Sequence, residues 1–214
     1  TVGWFTRDRT EMERFSRALL DLPVPDPDGS LRIARLEGLG PCVEAGEAQF
    51  LGEGISVARI PIVWNPGEAS SAFSILQSSE AFEVHGNWIH RYSSRYDPEV
   101  LARIDRGCHW SRSDRTHAED LKGRVETFFQ ELFGSFDVLI APAVDQPAPE
   151  APVPASTREQ LLRLNAPASL AGLPVLTVPV RISGDETVGV QCLLPPDRWP
   201  EVLAKLFTCF EEGF

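Results

Sequence analysis

An enzyme that cleaves a stable bond needs a nucleophile, a base to activate it and donors for the charge that develops. Four histidines are the first candidates for the base: His85, His90, His109 and His117. None lies in a His-Glu-x-x-His arrangement and no two stand four apart on a helix face, so no metal site is expected. Cys108 and His109 are neighbours, but adjacent side chains point in different directions, and the pair reads as a loop cysteine beside a loop histidine. The serine pairs Ser70–Ser71 and Ser78–Ser79 fall in a helical pattern, where backbone NH groups are already bonded and cannot form an oxyanion pocket. Only two lysines exist, Lys122 and Lys205, both on amphipathic stretches with no reason to be buried or to titrate near neutrality. No Gly-x-Ser-x-Gly elbow, phosphate loop or dinucleotide fingerprint occurs. Thr1 would qualify as a self-activated nucleophile if a mature chain began there, and otherwise carries no chemistry.

Composition narrows the classes that remain. A chain of 214 residues with 43% hydrophobic content can bury one substantial core. Its net charge of −11 is spread along the chain and disfavours direct nucleic-acid binding. No apolar run approaches the roughly 20 residues that span a bilayer, and the first residues do not read as a signal peptide, so no membrane partner and a cytoplasmic location are expected. Cys42, Cys108, Cys192 and Cys209 are widely separated, without a Cys-x-x-Cys pair, and read as reduced packing residues. No cofactor is expected.

The elements can be read in turn. Met12, Phe15, Leu19 and Leu20 recur at helical spacing behind Asp8 or Thr10 as cap. "LRIARL" suits a strand with Arg32 and Arg35 on a wet face, and "CVEAGEAQFL" a short helix. "GISVARIPIVW" reads as a second strand that Pro61 ends or places at an edge. "GEASSAFSILQSSEAFEV" is helical, as is "DPEVLARIDRG", with Asp97 as cap and Pro98 at its first position. Residues 112 to 133 form the longest predicted helix, closed by Gly134, with a stripe of Leu121, Val125, Phe128, Phe129 and Leu132. "FDVLIAPAV" reads as a buried parallel strand, followed by a Pro-rich loop over 142–156. "STREQLLRLNAPASLAGL" carries a capping box at Ser156 and Glu159 and ends in small residues at Gly172. "PVLTVPV", a buried strand stopped at Pro179, pairs through the turn "SGDE" with "TVGVQCLLP" as a hairpin, and "DRWPEVLAKLFTCFEEGF" closes the chain as a helix. The order gives an α/β class, a mixed β-sheet flanked by helices.

Several stretches, taken together and in order, resemble the C-terminal half of the amidase signature family: "TVGWFTRD", "EAFEVH", "YDPEVLARIDRG", "FDVLIAPAV", "SLAGLPVLTVPV" and "VGVQCLLPP". The resemblance runs over nearly the whole chain and implies hydrolysis of a carboxamide by a serine nucleophile, helped by a second serine on a cis peptide bond and a lysine. It places those residues in an N-terminal half with a Gly-Ser-rich signature that has no counterpart here. Residues 1–214 are therefore expected to be the C-terminal portion of a single amidase-like domain, incomplete without its N-terminal half. That half, on a partner or a missing segment, is the expected partner and a small-molecule amide the expected substrate, with no catalytic residue in this chain. The alternative is a catalytically inactive amidase-like subunit that stabilises or regulates a partner.

Five residues are candidates for substrate binding. By resemblance to glutamine-using relatives, Arg124 on the long helix binds a substrate carboxylate, or else pairs at the surface with Asp120 one turn earlier. The acidic residue implied shortly before the Ala-Gly-Leu-Pro segment is replaced by Leu162 and Arg163, which argues against glutamine itself. Gln191, Trp64, Asn65 and Asp145, with Gln146 beside it, stand near strand ends, where open α/β sheets bind ligands. His85 and Trp88 fit either a gate at the entrance or a helix-end cap and a core aromatic.

Overall fold

A computed structural model describes residues 3–25, 30–39, 57–148, 155–183 and 186–209. Five strands form one sheet: β1 (Ile33–Glu37), β2 (Ala58–Pro61), β3 (Val138–Pro142), β4 (Val175–Ser183) and β5 (Glu186–Leu193), in the order β2-β1-β3-β5-β4. β2, β1 and β3 run parallel, while β5 is antiparallel to both β3 and β4. Six helices are described: α1 (Arg9–Leu20), α2 (Pro66–Tyr92), α3 (Pro98–Asp105), α4 (Arg112–Phe133), α5 (Ala155–Leu170) and α6 (Trp199–Cys209). The mixed α/β class read from the sequence is the class observed. The short helix expected over 42–51, part of the Pro-rich loop and the middle of the 183–186 turn lie outside the described residues.

The strand at the centre dictates the layering. All five residues of β3 are buried, and its side chains alternate: Leu139 and Ala141 enter one core, Val138 and Ile140 another. Both faces must therefore be covered. On one side Leu121, Val125 and Phe129 of α4, Ala69 and Ala72 of α2, and Leu164 and Ala168 of α5 pack on Leu139 and Leu36. On the other, Val202, Leu203, Leu206 and Phe207 of α6, with Met12 and Leu20 of α1, cover Ile140 and Val190. Each large side chain so buried contributes about 1.5–3 kcal/mol. The small residues of α2 and α5 let those helices meet closely over the sheet.

Helix starts are set by side-chain caps. Asp8 accepts from Glu11 N at 2.9 Å, Asn65 from Gly67 N at 2.8 Å and Asp97 from Glu99 N at 2.9 Å, and Ser111 and Asp114 form a reciprocal capping box. Ser70 and Ser71 donate to Gly67 O, and Ser78 donates to Ser74 O, so their hydroxyls serve their own helix.

Five readings are corrected. Arg35 is 5% exposed rather than on a wet face, because β1 has neighbours on both edges and helices on both sides; Glu37 on the same strand face lies 3.7 Å away. The longest helix is α2, which runs 27 residues through "EVHGNWIHRY". Trp88 is consequently an exposed helix residue, not a core aromatic, and His85 is no helix-end cap. β4 continues through Pro179 to Ser183 as an edge strand with alternating exposure; a missing NH is tolerated there because only one side of the strand is paired. Ser156 lies inside α5, which begins at Ala155.

Asp137 pins the start of β3. Its carboxylate accepts from the Arg32 backbone N at 2.9 Å, from Arg32 Nε at 3.1 Å and Nη2 at 3.0 Å, and from Arg198 Nη1 at 2.7 Å. Arg198 also donates to Phe133 O at 2.7 Å, tying the end of α4 to the segment before α6. Burial alone would raise the carboxyl's pKa, but the Arg32 and Arg198 hydrogen bonds outweigh it and hold Asp137 well below the usual carboxylate range. The unfolded chain therefore binds this proton more readily than the folded one, so the stabilisation is complete near neutrality and fades as pH falls below about 5. Asp137→Asn is expected to cost about 2 kcal/mol at pH 7 and to flatten the acid limb of the stability profile in urea unfolding. An unchanged midpoint and an unchanged acid limb would remove Asp137 from this role.

Candidate substrate-binding site

The three parallel strands end on the same side of the sheet, and the segments leaving them converge there. After β1 the chain turns at Gly38, whose φ of +90° suits glycine, and the close approach of Ile62 Cγ1, 3.2 Å from where a Cβ would sit, leaves little room for a side chain. After β2 it enters Trp64, Asn65 and the first turn of α2, with Ile62 N bonded to Glu37 O at 3.1 Å. After β3 it passes Ala143, whose NH donates to Gly189 O at 2.8 Å, and reaches Asp145. Between them and α5 lies an open depression of about 520 Å³. Gly38, Leu39, Asn65, Pro66, Gly67 and Asp145 line it on the strand side, and Gln160, Arg163 and Leu164 form the helix wall. This is where an open α/β sheet offers its ligand crevice.

Of the residues singled out from the sequence, Asn65 and Asp145 line the depression. Asn65 also uses its Oδ1 to cap α2, which leaves its amide NH₂ as the donor it presents. Gln191 is 2% exposed beneath the site, donating through Nε2 to Pro142 O at 2.8 Å and Leu164 O at 3.3 Å. It thereby fixes the spacing between the end of β3 and the α5 wall. Trp64 is buried below, edge-on to Phe128 with ring centroids 4.8 Å apart and 5.6 Å from the Phe129 ring. Arg124 lies elsewhere, on α4 and outside the lining. Gln146 is also outside the lining, and His85 and Trp88 stand exposed along α2. The sequence reading missed Gly38, Leu39 and Gln160 as lining residues, and met Arg163 only as the place of an absent acid. The glycine directly after a strand was the available signal.

The depression supplies hydrogen-bond donors from Arg163, Gln160 and Asn65, one carboxylate from Asp145 and the first turn of α2. No serine, cysteine, histidine or lysine is among the described residues lining it. Lys122 pairs with Glu126 at 3.0 Å, and that hydrogen bond raises its pKa further, so it stays a surface cation. Burial pushes the Cys192 thiol up and leaves it inert. No helix among the described residues is long and apolar enough to cross a membrane.

A mixed sheet covered on both faces, with an open depression beyond the parallel strand ends, defines the class as an α/β fold. Comparison with known proteins makes this more specific. No known family profile matches the chain. A fatty acid amide hydrolase of Medicago truncatula is 30% identical over 101 residues, 43% of this chain and 16% of that protein. Among solved structures, an amidase superposes with a TM-score of 0.74 at 19% identity, covering 94% of this chain and 50% of that one. A vestigial protein complex bearing on the origins of an s-triazine catabolic enzyme gives a TM-score of 0.68 at 23% identity, over 85% of this chain and 42% of that one. Allophanate hydrolase of Kluyveromyces lactis gives 0.66 at 17% identity, over 87% and 33%. The resemblance to the amidase signature family is borne out, and the chain has an amide-hydrolase-like fold. It spans half or less of the length of each of these relatives.

Gln191 tests how the site is held. Its two acceptors are both carbonyls, so the amide is needed as a donor. Gln191→Glu at pH 7 places an acceptor-only group against them and is expected to destabilise by more than Gln191→Leu, which itself costs about 1–3 kcal/mol for the unpaired carbonyls. Paired denaturation curves decide it, and equal costs would contradict the assigned contacts.

Proposed function

We propose that this chain is the substrate-pocket and scaffold part of an amide hydrolase that converts a carboxamide to a carboxylate and ammonia or an amine. In this reading the serine nucleophile, its cis-serine and the lysine lie on a separate polypeptide or on another segment of the same one, and residues 1–214 are one portion of a single amidase-like domain. The observation that carries it is a polar crevice at the carboxyl ends of β1, β2 and β3 with no nucleophile among the described residues of its walls, in a fold shared with amidases about twice as long. Asn65 and Arg163 offer donors to the substrate carbonyl or its substituents, and Asp145 accepts from the amide NH₂.

The surface supports a partner. On α1, Phe15 is 46% and Leu19 58% exposed although both belong to its apolar stripe, and Phe5 just before the helix is fully exposed. Val175 at the start of the edge strand β4 is 41% exposed. In this reading these exposed apolar side chains are positions that a partner would cover.

The test is to combine the chain with the polypeptide or segment that bears the serine and lysine, and to measure ammonia release from a panel of small neutral amides. Turnover is expected only in the combination and is lost when that serine is replaced. Asp145→Ala is expected to raise KM about tenfold with a smaller change in kcat, the mark of a group that binds ground and transition states alike. Turnover by the chain alone would overturn the division of labour. A stable complex without turnover would favour the regulatory subunit instead.

A further inference from the structure

Away from the crevice, the end of α3 gathers three side chains of different chemistry. Asp105 closes the helix, Cys108 ends the 3₁₀ turn Arg106–Cys108, and His109 comes directly after it. Their carboxylate, thiol and imidazole donor atoms all lie within 4.8 Å of one another, and His109 Nε2 stands 3.4 Å from Asp105 Oδ2. The adjacent pair Cys108–His109 does not converge by itself. It converges through Asp105, three residues before one and four before the other, which are the spacings that share a helix face. A tetrahedral zinc centre, with ligand bonds of about 2.0–2.3 Å, has ligand–ligand edges of roughly 3.3–3.8 Å, and the present donors, all within 4.8 Å of one another, stand close to that spacing.

The backbone beneath these side chains is fixed. Gly107, between the ligands, is pressed onto α2: a Cβ there would meet Ser78 O at 2.0 Å, so no larger residue fits and the turn cannot shift inward. Trp110 Nε1 donates to Ser78 Oγ at 2.8 Å, and Arg115 Nη2 reaches both Gly107 O and Trp110 O at 3.4 Å. Asp105 is half-buried while Cys108 and His109 are exposed, which leaves an open approach from solvent.

We propose that Asp105, Cys108 and His109 form a binding site for one borderline divalent cation of the zinc class, with water completing a tetrahedron. One carboxylate, one thiolate and one imidazole are a zinc-type donor set and a poor one for calcium or magnesium, which take oxygen ligands. Binding releases the Cys108 thiol proton to solvent and leaves no change in oxidation state. The turn rests on α2 at Ser78, twelve residues from the crevice end of that helix, about 18 Å at the helical rise. The cation therefore sits apart from the crevice and takes no part in amide cleavage there.

The purified chain titrated with Co²⁺ tests this. One equivalent is expected to give a tetrahedral visible spectrum with a thiolate-to-cobalt charge-transfer band, displaced by Zn²⁺. Cys108→Ser should remove the band, and His109→Ala and Asp105→Asn should each weaken binding at least about tenfold, the loss that even an outer-shell partner causes. His117→Ala should change nothing. Far-UV circular dichroism of each metal-free variant should match the parent, so that lost binding is not lost folding. No charge-transfer band, a band that survives Cys108→Ser, or undiminished affinity in His109→Ala would overturn the site.

Discussion

The carboxylate of Asp137 does what no apolar contact could, which is to set register. β3 is buried on both faces, and burial alone would be satisfied by several slides of one strand against its neighbours. Asp137 removes that freedom by accepting from both the backbone and the guanidinium of Arg32 just before β1, and from Arg198 just before α6. Arg198 in turn holds the carbonyls of Phe133 and Phe136 where α4 ends. The start of β1, the end of α4, the start of β3 and the approach to α6 are thereby fixed as a unit. With one end of the parallel strands held, their other ends arrive together, and the crevice results from that coincidence.

Gln191 is the matching constraint at the crevice end. Where Asp137 is a charge amid cations, Gln191 is a neutral donor between two carbonyls, one on β3 and one on α5. The choice suits the place. A charge buried beneath a binding site would dominate its field and carry a large desolvation penalty, whereas an amide fixes distance and leaves the field to the lining residues. The small residues of α5 act with it, since Ala166 and Ala168 let the wall helix sit low enough for Leu164 O to reach the amide.

Where the sequence was readable, the reason was local. Asp8 and Asp97 sit before helices and cap them, and the four-residue apolar run before Pro142 can only be buried. The bounds of α4, 112–133, were legible from its apolar stripe and from Gly134, and the capping box of Ser111 and Asp114 fixes its start. Misreadings came from tertiary context. Arg35 has the alternation of a wet face, and only the helices on both sides of the sheet, distant in sequence, put it inside. Pro179 stops a strand in the middle of a sheet and not at an edge, and edge position is a property of topology. For the site, strand ends pointed to Asn65, Asp145 and Gln191, while the α5 wall, Gln160 and Arg163, could not be placed without knowing which helix returns over which strand.

Electrostatics bears on what the crevice can hold. The chain carries a net charge of −11, yet at physiological salt its distant charges are screened beyond roughly 8 Å, so a bound molecule responds to the walls. Those walls are mixed: Asp145 on one side, Arg163 and the first turn of α2 on the others. The amino end of a helix carries partial positive charge, and Asn65 answers it as a neutral cap rather than a carboxylate. An anion would gain from Arg163 and α2 but meet Asp145; a cation would meet the reverse. A neutral carboxamide, with a carbonyl that seeks donors and an NH₂ that seeks an acceptor, is the arrangement that uses both signs at once. That mixed polarity is what the proposed function asks of these walls, which hold no nucleophile among their described residues.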